Sequence, residues 1–128
     1  MEKVQPNAQG PFPALSAAAP LAFRKRDDRV QVRHAGTVVA ESTSALTVFE
    51  LGHTPVVYFP RGDVHLNLFA PVERSTHCPR KGDASYFAFG GADGPVIAWS
   101  YEAPIEAAAP LKDHIAFYAD QTDLTEEA

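Results

Sequence analysis

The chain has 128 residues, of which 45% are hydrophobic and 21% charged, and a net charge of −5. This length fits one domain with a core of its own, and the composition excludes a disordered chain and a coiled coil. The acidic balance argues against nucleic-acid binding, since Arg24, Lys25 and Arg26 form the one basic cluster and Asp27 and Asp28 follow it directly.

The start of the chain and its cysteine content predict a cytoplasmic protein. The first residues, MEKVQPNAQGPFP, lack the basic region and continuous apolar core of a secretory signal. No run of about 18 apolar residues could span a membrane. One cysteine cannot form an internal disulfide, which fits a reducing compartment. We therefore expect neither export nor a membrane association.

Composition divides the chain into three segments. Residues 1–28 are rich in proline and alanine and end in the mixed-charge run RKRDD, which predicts a flexible tail. Residues 29–120 are predicted to form a single β domain. Residues 121–128 are polar and acidic, and we expect a second tail there.

The first half of the domain predicts short strands. Apolar and polar residues alternate on both sides of Gly36, as in a β-hairpin. Residues 42–52 fit either a strand or a short helix that ends at Gly52, and we favour the helical turn. Residues 55–60, PVVYFP, predict a strand with a proline at each end, followed by a turn at residues 61–63. Alternation over residues 64–69 is typical of another short strand.

The second half contains the clearest hairpin of the chain. Residues 84–89 and 95–101 flank the glycine-rich loop GGADG. Residues 104–109 predict about one helical turn before Pro110, and residues 114–119 predict a last strand. Short strands with turn signals about every ten residues indicate a mainly β protein, an antiparallel sandwich or barrel-like fold with one or two helical turns.

Five ordered blocks between Val32 and Asp120 resemble family 427 of the domains of unknown function, which occurs in bacteria and fungi. The blocks are GTVVAES, PVVYFPRGDV, THCPRKGDASYF, AWSYEAP and HIAFYAD. The resemblance implies a small antiparallel domain similar to the β-tent folds, in which two sheets meet and some relatives bind zinc through four cysteines. This chain lacks those cysteines, so a pocket between the sheets is the candidate site that the resemblance leaves.

The same family is sometimes labelled nucleotidyltransferase-like, and the residues give that label little support. Nucleotidyl transfer needs two or three carboxylates on one platform to hold Mg²⁺. The chain has no Asp-x-Asp pattern, and Asp63, Asp83 and Asp93 lie on separate segments. Its histidines are also too widely spaced for a metal site, so we expect no metal and no cofactor.

Cys78 is the candidate nucleophile, with Lys81 three residues later to stabilise a thiolate. His77 is a poor base for it, because adjacent residues of a strand point to opposite faces. The alternative is a small buried side chain, the usual role of a free cysteine.

Lys81 is the candidate partner for an anionic group, although Lys81 and Asp83 are equally compatible with a solvated turn around Gly82. Tyr86, Trp99 and Tyr101 lie on the two arms of the hairpin and are either core or the wall of a pocket.

The family pattern maps onto further residues of this sequence, and one position departs from it. The candidate ligand-binding residues are Glu50, Tyr58, Arg61, Lys81, Asp83, Tyr86, Trp99 and Tyr101. Arg80 stands where the family more often has an aromatic residue, which puts a charge into an expected apolar wall.

Three hypotheses about function follow. The first is a domain that binds an unknown small molecule, with Lys81 as anion partner and aromatic walls. The second is a group-transfer or hydrolytic enzyme, including a nucleotidyltransferase-like one, that uses Cys78 and Lys81. The third is an interaction domain that pairs through an exposed strand edge, in which case a homodimer could form.

Overall fold

A computed structural model describes residues 12–127, which fold into two antiparallel β-sheets with three short 3-10 helices. The strands are β1 (Leu21–Lys25), β2 (Arg29–His34), β3 (Thr37–Ser42), β4 (Leu46–Glu50), β5 (Val56–Pro60), β6 (Phe69–Cys78), β7 (Gly82–Phe89), β8 (Val96–Ser100), β9 (His114–Phe117) and β10 (Asp123–Glu127). The 3-10 helices are Arg61–Asp63, Leu66–Leu68 and Glu106–Leu111. The prediction of a mainly β, antiparallel fold is confirmed.

Seven strands form the larger sheet, in the order β1-β4-β5-β9-β8-β7-β6, and three form the smaller sheet, in the order β10-β2-β3. The larger sheet has two apolar faces because its side chains alternate along each strand. Val57 and Phe59 of β5 belong to the core that also contains Val30 and Val32 of the smaller sheet. Tyr58, between them, belongs to a second cluster on the opposite face.

Both predicted hairpins are present. Strands β2 and β3 pair around Gly36, and β7 and β8 pair across the glycine-rich loop. Strands β5 and β9 also lie where the sequence predicted them. The turn predicted at residues 61–63 and the helical turn near residue 106 are both 3-10 helices.

Two local predictions were wrong. Residues 42–52 contain strand β4 instead of a helical turn, because Leu46 to Phe49 are buried between β1 and β5 and the β-branched and aromatic residues suit a strand. The short strand expected at residues 64–69 is replaced by the 3-10 helix Leu66–Leu68. Strand β6, the longest of the fold, went unpredicted because Pro71 and its charged residues mask its alternation.

The predicted tails need correction where they overlap the sheets. Strand β1 lies within the segment 1–28 and pairs with β4, and strand β10 lies within the segment 121–128 and pairs with β2. Backbone pairing with a neighbouring strand thus orders segments whose composition is typical of tails. Residues 1–11 and 128 of these predictions lie outside the described residues.

Arg26 joins the two sheets. Its side chain is 1% exposed, and its Nε and Nη2 donate to the Asp28 carboxylate at 2.9 and 2.7 Å. Nη2 also contacts the Glu126 carboxylate of β10, and Nη1 donates to the Thr47 hydroxyl of β4 at 3.3 Å. A buried cation is stable only when it is paired in this way.

The outer strands of the larger sheet are β1 and β6. Strand β6 carries Pro71, the charged pair Glu73 and Arg74, and a bulge between Val72 and Ser75. These features discourage pairing with another chain, so the homodimer stays a prediction without support from this edge. Among residues 12–127, no helix is long and apolar enough to cross a membrane.

Candidate functional site

A cavity of about 810 Å³ opens on the face of the larger sheet that is turned away from the smaller sheet. The predicted position between the sheets was therefore wrong, because apolar side chains such as Phe59, Phe87 and Ile115 fill that space. All the predicted site residues except Arg61 and Asp83 line the cavity: Glu50, Tyr58, Cys78, Lys81, Tyr86, Trp99 and Tyr101.

An aromatic wall forms one side of the cavity. Tyr86 of β7 lies opposite Trp99 of β8 in the strand register, so both side chains are on the same face. The Trp99 indole donates its Nε1–H to the hydroxyl of Tyr58 at 3.1 Å, and its ring lies 4.7 Å from that of Tyr118. The Tyr86 hydroxyl is hydrogen-bonded to Thr76 at 2.6 Å.

A cluster of charges forms the opposite rim. Lys81 Nζ donates to Glu50 Oε1 at 2.6 Å, and Arg80 Nη1 donates to Glu50 Oε2 at 3.2 Å and to the carbonyl of Leu51 at 3.0 Å. Burial raises the pKa of the Glu50 carboxyl, but the bond from Lys81 and the nearby cations outweigh burial, and the pKa lies below its ordinary value. Glu50 is therefore ionised at neutral pH.

The charge cluster shows that the larger sheet is curved. Glu50 ends β4, whereas Arg80 and Lys81 form the turn between β6 and β7. In a flat sheet, strands β4 and β7 would lie about 19 Å apart, at about 4.8 Å for each strand step. The contacts of the Glu50 side chain with those of Arg80 and Lys81 therefore require the larger sheet to curve.

The turn that carries Lys81 depends on Gly82, as the sequence predicted. Gly82 has a φ of +117°, which other residues rarely adopt. A Cβ atom there would lie 3.3 Å from the carbonyl oxygen of Ala103. The turn is further attached to this segment by a hydrogen bond from Ile105 N–H to the Lys81 carbonyl at 3.0 Å.

Arg61 and Asp83 lie outside the cavity. Arg61 contacts Glu102 at 3.1 Å and places its guanidinium over the ring of Phe87. Asp83 is bound to His77 at 2.8 Å, with both side chains exposed to solvent. Neither residue lines the cavity, so the structure gives no support to their predicted role.

Cys78 is half-buried and lines the cavity, but the groups that would activate it are engaged elsewhere. His77 is turned to Asp83 on the solvent side, while Lys81 and Arg80 are paired with Glu50.

We expect iodoacetamide to alkylate Cys78 at neutral pH no faster than a free peptide thiol, because the neighbouring His77, Arg80 and Lys81 are each paired with a carboxylate. Mass spectrometry gives the rate directly, since the chain has one cysteine. A severalfold faster rate would contradict this and favour the nucleophile hypothesis.

Several residues that line the cavity were not among the predicted site residues, including Tyr118, Arg80 and His53. Tyr118 follows Ala116 by two positions, so the alternation along the last predicted strand was a usable signal for it. Arg80 stands at a position where the family resemblance implies an aromatic residue of the wall. His53 lies 3.6 Å from Glu50, a contact that depends on the loop after β4 and has no sequence signal.

Acidic and other metal-binding side chains are scattered over the part of the chain that the structure describes. Among residues 12–127, no three His, Cys, Asp or Glu side chains are close enough to hold one metal ion. Asp63, for example, accepts a hydrogen bond from Ser42 at 2.6 Å. The carboxylate platform that nucleotidyl transfer needs is therefore not assembled by these residues.

A family model described as a domain of unknown function, DUF427, matches residues 22–128. Its label abbreviates an NTP transferase, and the match covers both sheets and every residue that lines the cavity. No curated protein matches the chain.

Proposed function

The chain belongs to the DUF427 family of domains of unknown function, and from the geometry of its cavity we propose that it binds a small planar ligand that carries an anionic group. The observation that carries this proposal is the pairing of an aromatic wall with a rim on which two cations share a single carboxylate.

Arg80 is the better anion partner of the two cations. The ammonium of Lys81 is largely buried, bound to Glu50 and lies over the ring of Tyr101 at 5.4 Å. The Arg80 side chain is 36% exposed. Both of its side-chain hydrogen bonds to residues 12–127 come from Nη1. The remaining guanidinium N–H groups suit a carboxylate, sulfonate or phosphate.

The aromatic wall supports a planar partner for that anion. Trp99 and Tyr118 are half-buried, and their rings face the cavity together with Tyr86. Such rings offer flat apolar surface for a ligand of the same shape.

Two matched dyes test the proposal. Anilinonaphthalene sulfonate is aromatic and anionic, and anilinonaphthalene has the same rings without the charge. We expect the native protein to bind both, and the variant Arg80→Gln to bind the sulfonate about tenfold more weakly, as loss of a charge-assisted hydrogen bond predicts. Affinity for the uncharged dye should change less than about twofold. Dye fluorescence gives both dissociation constants.

The control is Arg33→Gln, which removes an exposed arginine from the smaller sheet. It should leave both affinities unchanged. No binding of either dye to the native protein, or an equal loss of both in Arg80→Gln, would refute an anion site at Arg80.

The other hypotheses have less support. An enzyme that uses Cys78 and Lys81 has less support because the adjacent His77 is turned to Asp83 and Lys81 is paired with Glu50, although Cys78 and Lys81 both line the cavity. The cytoplasmic location stays a prediction.

A further inference from the structure

The Tyr101 hydroxyl has no hydrogen-bond partner among residues 12–127, although Tyr101 is 7% exposed and lines the cavity. The Lys81 ammonium lies over the Tyr101 ring. The Tyr86 hydroxyl on the same wall differs, since it is bonded to Thr76.

Tyr58 presents a second unused donor. It is 1% exposed, and its oxygen accepts the indole N–H of Trp99. Its own O–H donates to no acceptor within the described part of the chain. Tyr58 and Tyr101 both line the same cavity.

Both residues line the cavity, so a ligand that displaces solvent there must offer these hydroxyls an acceptor or lose their hydrogen bonds. Two phenol donors that share one cavity therefore point to an acceptor that enters it. Burial raises the pKa of both phenols, and neighbouring Cys78 and Glu50 add to this, so both remain protonated donors at neutral pH.

We propose that Tyr58 and Tyr101 form a subsite for the neutral carbonyl oxygen of a planar aromatic carboxylate. This inference rests on the proposed function, with Arg80 holding the carboxylate at the exposed rim. A neutral oxygen fits the phenols because the nearest carboxylate, Glu50, repels a second anion and buried surroundings disfavour charge. The ligand is thus polar at both ends and aromatic in the middle.

The test compares acetylbenzoate with ethylbenzoate, in their para and meta forms, by calorimetry on the full chain. Members of each pair differ in one carbonyl group that replaces a methylene group next to the ring. We expect one acetyl compound to bind about tenfold more tightly than its ethyl partner, which corresponds to about 1.4 kcal/mol. The more apolar ethyl compound would be favoured by desolvation alone, so the preference requires donors in the cavity.

Tyr101→Phe removes one donor and keeps the ring. It should reduce acetylbenzoate binding severalfold toward that of ethylbenzoate and leave ethylbenzoate binding unchanged. The control is again Arg33→Gln, on the smaller sheet and away from the residues that line the cavity, and it should preserve the preference. Thermal melting checks that both variants fold.

The two proposals fail differently. Equal affinities within both pairs, or parallel losses in Tyr101→Phe, would overturn the carbonyl subsite while sulfonate dye binding at Arg80 persists. Failure to bind any benzoate in a protein that binds the sulfonate dye would also overturn it. Loss of discrimination between the charged and uncharged dyes would refute the anion site instead.

Discussion

Replacement of Arg26 by methionine should lower the free energy of unfolding by about 3–5 kcal/mol, the typical cost of removing one member of a buried ion pair. Methionine keeps most of the volume, so the loss comes from charge and hydrogen bonding. The carboxylates of Asp28 and Glu126, which are 11% and 13% exposed, would keep their charges without a partner. Urea denaturation monitored by circular dichroism measures the change.

A matched control separates burial from charge. Arg29 also contacts two carboxylates, Glu41 and Glu127, but its side chain is 55% exposed. Arg29→Met should therefore leave the free energy of unfolding nearly unchanged. Similar losses in the two variants would contradict the role of Arg26 as a buried link between the sheets.

Replacement of Glu50 by glutamine should have opposite effects on stability and ligand binding. The free energy of unfolding should fall by about 1.5–3 kcal/mol, because Lys81 and Arg80 lose their charged acceptor. Affinity for anilinonaphthalene sulfonate should rise about fivefold, since a negative charge at the rim no longer opposes the anion, an effect of about 1 kcal/mol.

The stability difference between the native protein and Glu50→Gln should depend on pH. The pKa of Glu50 is lower in the folded protein than the ordinary value of 4.5. Its contribution is therefore fully present above about pH 4.5 and is lost as the pH falls through the folded pKa. Urea denaturation at several pH values should show the two proteins converging in acid.

A constant difference down to low pH would show that the Glu50 charge does not stabilise the fold. Weaker dye binding in Glu50→Gln at neutral pH would indicate that the carboxylate orients Arg80 for the ligand instead of competing with it. The variant Glu41→Gln, which changes a carboxylate on the smaller sheet outside the cavity, is the control for general charge effects.

Much of the candidate site could be predicted from local sequence. Alternation along residues 95–101 predicted that Trp99 and Tyr101 lie on one face, and the blocks around Tyr58 and Lys81 carried the family resemblance. Local signals failed where pairing with distant strands decides the structure. Strand β4 lies between β1 and β5, and its neighbours override a helical cap that the sequence offers.

The sequence by itself determined the mainly β architecture, the two hairpins and the faces on which the aromatic side chains lie, because these follow from periodicity and turn residues within short segments. The tertiary structure alone decided that the cavity lies on the outer face of the larger sheet and that Glu50 meets Arg80 and Lys81. It also decided that the Tyr86 hydroxyl bonds to Thr76, whereas the Tyr58 oxygen accepts from Trp99. The physical reason is that sheet curvature and hydrogen-bond pairing join residues about 30 positions apart or more, over which no sequence period extends.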